Sequence, residues 1–473
     1  MAKDANASLE ALDAELLAQE LPGISVAFDR AAMLDHFQAA LIGPRNANRF
    51  RHCGLTSAVL LNDSVVLRYT MEVVDPEGKG RSAIVTGRVF GNGGRAVSYA
   101  AERLAPLAGQ VAGREEIAAL TSPVAVLEQL GMAVSAFPID GELPTLVAAT
   151  DPNVAGPALG ELLFVNGHSD VVIENCRAEP VHYNRRHRCM MRYELDLSAR
   201  KSLALYGKVA GDDSGARIPE LVRALTEPLA GAGVTLPACL GWRQDLQLVA
   251  FTEIPGAPRV AQLLKARLRG DDVAGEPSLE DAVETCGRIA ATLHTSGLRL
   301  GEPRTLESEV ARLRDNLSPI QRLSPDLGRQ LAQWLDLVER RAAASTALDV
   351  CQCHGDFSYT QLIFDGSRPG LVDFDNFCQA EPALDLGQFL AYLRYAGIKA
   401  RGQSRAERAG LSSELAARFA DSYVMAGGSA AALERVDLYE AINLTRMAEH
   451  AWQNLKSRRL EGIVTLLGER MDA

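Results

Sequence analysis

The first half of the chain repeats itself, and that repeat limits the possible folds more than any single motif. The segment Leu21-Pro22-Gly23-Ile24-Ser25-Val26-Ala27-Phe28-Asp29 recurs as Leu143-Pro144-Thr145-Leu146-Val147-Ala148-Ala149-Thr150-Asp151, a shift of 122 residues at both ends. Further matches follow in the same order: Leu67–Glu72 with Met191–Asp196, Gly87–Val89 with Gly207–Val209, Ala105–Gly109 with Glu227–Gly231, and Ala136–Gly141 with Phe251–Gly256. Chance among Ala- and Leu-rich stretches explains any one of these matches. Their common order points instead to a duplicated unit.

Each unit reads as helix, strands, helix, strands. Alternating β-branched residues mark strands at Ala58–Val74, Arg81–Phe90, Val171–Cys176, Cys189–Leu197, Leu203–Val209 and Leu246–Thr252. Helical apolar spacing marks Ala31–Leu41, Ala96–Leu107 and Ile218–Leu225, the last bracketed by Pro219 and Pro228. Gly91-Asn92-Gly93-Gly94 reads as a turn after a strand. From about residue 258 the spacing is helical almost throughout, with Ser324-Pro325 as a cap and first-turn pair. One β-rich island, Leu348–Phe374, interrupts this helical series.

Composition narrows the class. Of 473 residues, 47% are hydrophobic and 23% charged, near the average for globular proteins. A net charge of −11 argues against nucleic acid as a partner. No apolar run is long enough to span a bilayer, so no membrane role is expected. Met1–Asn6 shows no basic stretch leading into an apolar one, and the eight cysteines have no regular spacing. The expectation is a cytoplasmic protein.

The island carries the chemistry. It reads Cys351-Gln352-Cys353-His354-Gly355-Asp356-Phe357-Ser358-Tyr359-Thr360-Gln361-Leu362-Ile363-Phe364, then, after a Gly/Pro turn, Gly370-Leu371-Val372-Asp373-Phe374-Asp375. Two short apolar strands joined by a hairpin can bring Asp356, Gln361 and Asp373 to one mouth. Phosphoryl transfer from ATP needs such a set: a carboxylate for the acceptor hydroxyl, and hard oxygens to hold Mg²⁺ against the phosphates. A hairpin whose aspartates only cap turns is the plainer alternative. Cys351 and Cys353 fall on one face of a strand, and with no second Cys/His pair at zinc spacing they read as buried strand residues.

His354-Gly355-Asp356 followed by Asp373-Phe374-Asp375 resembles the aminoglycoside phosphotransferase/choline kinase family, small-molecule kinases with a protein-kinase-like fold. The resemblance implies Asp356 as catalytic base, with Gln361 and Asp373 as metal ligands. Most members carry Asn where this chain has Gln361; bacterial maltokinase-type members are similar to it in carrying Gln, which tilts the acceptor toward sugars. Asp385, in Pro382-Ala383-Leu384-Asp385, resembles the family's brace for the catalytic loop. Upstream, Lys208 resembles the phosphate-contacting lysine, with Glu220 as its partner and Glu227 as runner-up. Leu248–Gly256, which includes Glu253 and Ile254, resembles the hinge strand whose backbone grips adenine.

The implied fold is α+β: a protein-kinase-like bilobal domain with a mostly helical C-lobe, preceded by a degenerate duplicate of its β-rich N-lobe. The expected divisions are a duplicate lobe at 1–142, either a non-catalytic cap or scaffold or a lobe that shapes the acceptor pocket, a nucleotide-binding lobe at 143–257, and a helical lobe with the catalytic loop at 258–473. In the duplicate, Arg88 stands where the second copy has Lys208. The implied activity is transfer of the γ-phosphoryl group of ATP, with Mg²⁺, to a hydroxyl of a small-molecule acceptor: a sugar, an aminoglycoside or an amino alcohol. A pseudokinase that binds nucleotide and serves as a scaffold is the alternative. Glu407, Glu414, Asp421, Glu434, Asp437 and Glu440 read either as a site for an aminated acceptor or as solvated helix faces. The basic run Asn184-Arg185-Arg186-His187-Arg188 reads as a solvated loop or as an anion contact.

Overall fold

A computed structural model describes residues 14–168, 171–185, 187–198, 201–271, 275–400 and 403–472. Met1–Asn6 and Arg186 of the basic run lie outside the described residues. The chain is a mixed α+β protein in two compact units. One unit contains residues up to 216 with 240–251 and 452–457; the other contains 217–239, 252–451 and 458 onward.

The first unit holds two five-stranded sheets. Strands β1 (Arg49–Leu60), β2 (Ser64–Val74), β3 (Gly80–Phe90), β4 (Val124–Leu127) and β5 (Met132–Ala136) lie in the order β1-β2-β3-β5-β4. Strands β6 (Ile173–Arg185), β7 (Arg188–Leu197), β8 (Lys201–Ala210), β9 (Cys239–Arg243) and β10 (Leu248–Thr252) lie in the order β6-β7-β8-β10-β9. The two orders are the same, position for position. The expected strand Ala58–Val74 is in fact two strands, because the backbone turns at 61–63 and β1 and β2 pair antiparallel. Gly91–Gly94 does not form a hairpin turn. Asn92 caps the Gly93–Tyr99 helix by accepting a hydrogen bond from the Arg95 amide.

The repeat extends to individual hydrogen bonds. Asp29 and Asp151, which close the matched segments, are both helix N-caps. Asp29 accepts from the amides of Ala31 and Ala32, and Asp151 from that of Asn153. Tyr69 donates its hydroxyl to the Ala27 carbonyl at 2.7 Å, and Tyr193 donates to the Ala149 carbonyl at 2.9 Å. Both tyrosines are fully buried on the second strand of their sheet, so each must place its polar tip on a partner. Arg88 and Lys208 both lie on the third strand, two residues before its end.

The second unit is built on long amphipathic helices, including Leu279–Thr295, Leu306–Leu323, Pro325–Ala343, Ala383–Lys399, Arg405–Met425 and Val436–Gln453. Ser324 occupies the N-cap position of Pro325–Ala343, but its side chain makes no capping bond. The Ile218 helix runs through Pro228 to Gly231. Within this unit β11 (Pro303–Arg304), β12 (Cys351–Cys353) and β15 (Cys378–Ala380) form a three-stranded sheet, and β13 (Leu362–Asp365) pairs with β14 (Arg368–Leu371). Among the described residues no helix is long and apolar enough to cross a membrane. Replacing Tyr193 with Phe deprives the buried Ala149 carbonyl of its donor and should destabilise the protein by about 1–3 kcal/mol in urea unfolding.

Candidate active site

The β13–β14 hairpin closes through Gly366 and Ser367, with Gly366 at φ +58°, and sets Leu362 opposite Leu371. The ladder continues one step further, as the Val372 amide donates to the Gln361 carbonyl at 3.1 Å. This register brings Gln361 and Asp373 to the same end of the ribbon. The Gln361 amide nitrogen then donates to Asp356 Oδ2 and to Asp373 Oδ2, at 3.4 Å in each case. Three side chains spaced over 18 positions thus converge on one point, and all three are half-buried. Asp373 adopts a left-handed backbone, φ +69° and ψ 72°. That conformation is costly for a residue with a Cβ and clusters at functional sites.

Asp356 is also held from behind. Gln388, nearly fully buried on the Ala383–Lys399 helix, donates its amide to Asp356 Oδ1. Sequence reasoning missed Gln388. Its one signal was its position three residues after Asp385, on the same helix face.

The loop ahead of Asp356 is pinned by buried polar groups. Asp385, fully buried, accepts from the amides of His354 at 2.7 Å and Gly355 at 2.8 Å, and from His294 Nε2 at 3.2 Å. Burial alone would raise its carboxyl. The hydrogen bonds from the His294 ring and the His354 amide outweigh burial and hold the carboxyl below the usual range. His354 accepts from the Asp356 amide at Nδ1, so its proton sits on Nε2, which donates to the Val372 carbonyl at 3.1 Å. Gly355 has φ +74°, and a Cβ there would sit 2.1 Å from the Asn376 carbonyl oxygen. Only glycine fits this position.

The sequence profile of the phosphotransferase enzyme family (APH) matches residues 213–450, half of the chain. The chain belongs to that family. Solved structures of similar fold include a choline/ethanolamine kinase family protein from Mesorhizobium loti, 16% identical, covering 67% of this chain and 95% of that chain, with a TM-score of 0.42. A glucosamine kinase in complex with glucosamine, ADP and inorganic phosphate is 15% identical, covering 92% of this chain and 96% of its own, with a TM-score of 0.47. Choline kinase LicA from Streptococcus pneumoniae is 13% identical over 66% of this chain and 98% of its own, with a TM-score of 0.43. A comparison with curated proteins gives no match.

The other expected residues of this phosphotransferase-family chain fall as follows. Lys208 is half-buried on β8 of the first unit. Glu220 and Glu227 are exposed on the Ile218–Gly231 helix of the second. Glu253 is exposed and Ile254 half-buried just after β10. That segment is tied to the β13–β14 hairpin, since Ala257 and Phe364 exchange amide–carbonyl bonds at 3.0 and 2.8 Å. Several of the C-lobe carboxylates are already engaged. Glu407 completes a capping box with Ser404, Glu414 faces Arg418, and Asp437 and Glu440 both face Arg470.

Charge is concentrated beneath the loop. Arg304 bonds both oxygens of buried Glu309 at 2.8 Å and reaches the Gly355 carbonyl at 3.4 Å. Arg446 also bonds Glu309. One turn on from Arg446, burial pushes the Glu449 carboxyl up to about 8, offset only in part by Asn316 and Arg446. A carboxyl raised on folding keeps its proton in the native state after the unfolded chain has lost it. Stability should therefore fall as pH rises from about 4.5 to about 8 and then level off. Glu449→Gln should flatten that slope in urea unfolding followed across this pH range. Gly355→Ala should cost at least about 1–2 kcal/mol through its left-handed backbone alone, with further loss from the clash at Asn376, read by the same measurement.

Proposed function

We propose that this protein transfers the γ-phosphoryl group of ATP to a hydroxyl of a small molecule, with Mg²⁺ as the metal. The observation that carries this reading is the shared contact of the Gln361 amide with both Asp356 and Asp373. The donor set suits the ion. Two carboxylates and an amide offer hard oxygens only, and a half-turn about the Gln361 Cγ–Cδ bond presents its carbonyl oxygen where the nitrogen now points. Asp373 and Gln361 would hold Mg²⁺, which supplies charge neutralisation at the phosphates.

Asp356 accepts the proton of the acceptor hydroxyl and orients the hydroxyl oxygen toward the γ-phosphorus. Gln388 fixes the carboxylate rotamer for that task by donating to the oxygen that Gln361 does not touch. Lys208 is assigned to the α- and β-phosphates. The backbone at Glu253 and Ile254 is assigned to the adenine. Residues 1–142 are read as a duplicate lobe without catalytic function. Arg88, at the position of Lys208, is already engaged by Glu142 at 2.7 Å and by Ser64 at 3.0 Å. A fork held in this way does not substitute for a lysine at a phosphate site.

A sugar is the favoured acceptor class. The Gln361 departure supports it, and the capped or arginine-paired C-lobe carboxylates weaken the case for an aminated acceptor. Asp356→Asn should lower kcat by about 10²–10⁴-fold while nucleotide affinity stays unchanged, measured by coupled ADP release over a panel of sugars, aminoglycosides and amino alcohols. Wild-type turnover in Asp356→Asn would overturn the mechanism, and nucleotide binding without turnover on any acceptor would favour the scaffold instead. Gln361→Ala should raise the Mg²⁺ concentration needed for half-maximal rate.

A further inference from the structure

A second constellation lies behind the catalytic loop, and phosphoryl transfer has no use for it. Cys351 and Cys353 project from the same face of β12, and their Sγ atoms are 3.7 Å apart. Helix Leu279–Thr295 adds His294. The three ligand atoms all lie within 4.8 Å of one another, and all three residues are buried. The sequence left the cysteines as plain strand residues because their third member comes from 57 positions upstream, at no recognisable spacing.

We propose that Cys351, Cys353 and His294 bind a thiolate-preferring divalent cation, Zn²⁺, as a site separate from the one at Asp356. Two thiolates on one tetrahedral zinc, each about 2.3 Å from the metal, lie about 3.8 Å apart, so the sulfurs already stand at the required separation. A disulfide would need them to close to about 2.05 Å. Both ring nitrogens of His294 have polar partners, Nε2 at 3.2 Å from Asp385 Oδ2 and Nδ1 at 3.0 Å from Tyr423 Oη. Ionised Asp385 can only accept, so His294 donates from Nε2 and keeps a lone pair on Nδ1. A carboxylate on the far nitrogen is the usual support of a metal-bound imidazole. Tyr423 Oη, 3.0 Å from Nδ1, is the candidate for the fourth position. Each thiol gives up its proton to solvent as the ion binds. The ion would tie β12 to the Leu279–Thr295 helix one residue ahead of His354, and so stiffen the catalytic loop.

The proposal does not depend on turnover, and neither does its test. The full-length protein, stripped with chelator, is titrated with Co²⁺ and then with Zn²⁺. The expected result is uptake of about one equivalent with thiolate-to-cobalt charge-transfer absorption, bleached by zinc. Zinc should also slow alkylation of two cysteines in the folded protein. The absorption should vanish in Cys351→Ser and Cys353→Ser. No charge-transfer band in the wild type overturns the proposal, as does an undiminished band in the double variant. Should the variants fail to fold, zinc-edge X-ray absorption of the wild type decides: sulfur neighbours at about 2.3 Å support the site, and oxygen and nitrogen neighbours alone refute it.

Discussion

One buried carboxylate holds the loop from His354 to Asp356 in shape. Asp385 is fully removed from water, a position that an ionised group occupies only when its oxygens are satisfied by strong donors. It has three: the amides of His354 and Gly355 and the ring of His294. The two amides come from the tightest bend of the loop, where Gly355 is left-handed and passes against Asn376. Asp385 thereby fixes the direction in which the chain leaves β12 and enters Asp356. His354, itself buried, completes the brace by linking the Asp356 amide to the Val372 carbonyl on the opposite arm of the island.

On that frame the two faces of the β12 loop differ in chemistry. In front, Asp356, Gln361 and Asp373 present hard oxygen donors at half-exposed positions, the environment in which a hydrated hard cation and phosphate oxygens can be exchanged. Behind, Cys351, Cys353 and His294 present sulfur and imidazole in a dry interior. Arg304, Glu309 and Arg446 form a third layer in which a buried glutamate is held below its usual range, against the pull of burial, by the guanidinium bond of Arg304 and the charges around it. Asp385 through the His354 and Gly355 amides, and Glu309 through Arg304 and the Gly355 carbonyl, both bear on the loop that carries Asp356.

The two sheets of the first unit share a strand order and differ in some of the side chains they carry. What persists is structural: the capping aspartates Asp29 and Asp151, the tyrosine bonds of Tyr69 and Tyr193, and the strand order. These satisfy buried or terminal backbone groups, which any copy of the fold must do. What differs is the cation on the third strand. Arg88 is locked to Glu142 and lies over the rings of Phe90 and Tyr99, so it serves the interior of its own lobe.

Local sequence determined what local physics controls. Apolar periodicity gave the helices of the second unit, alternation gave most strands, and His354-Gly355-Asp356 with Asp373 marked the candidate site. The spacing around a short hairpin sufficed to bring Asp356, Gln361 and Asp373 together, because a two-stranded ribbon leaves little freedom in where its ends lie. The turn at 61–63 and the cap at Asn92 were misread, since alternation continues across a tight hairpin and glycine-rich segments serve turns and helix starts alike. Gln388, His294, Glu309 and Arg446 became part of the site only through tertiary structure. They reach it from helices distant in sequence, and no periodicity encodes which buried polar side chain will meet which partner. That choice is made by packing, which brings remote helices together and leaves each buried polar atom to be satisfied by whatever group stands opposite.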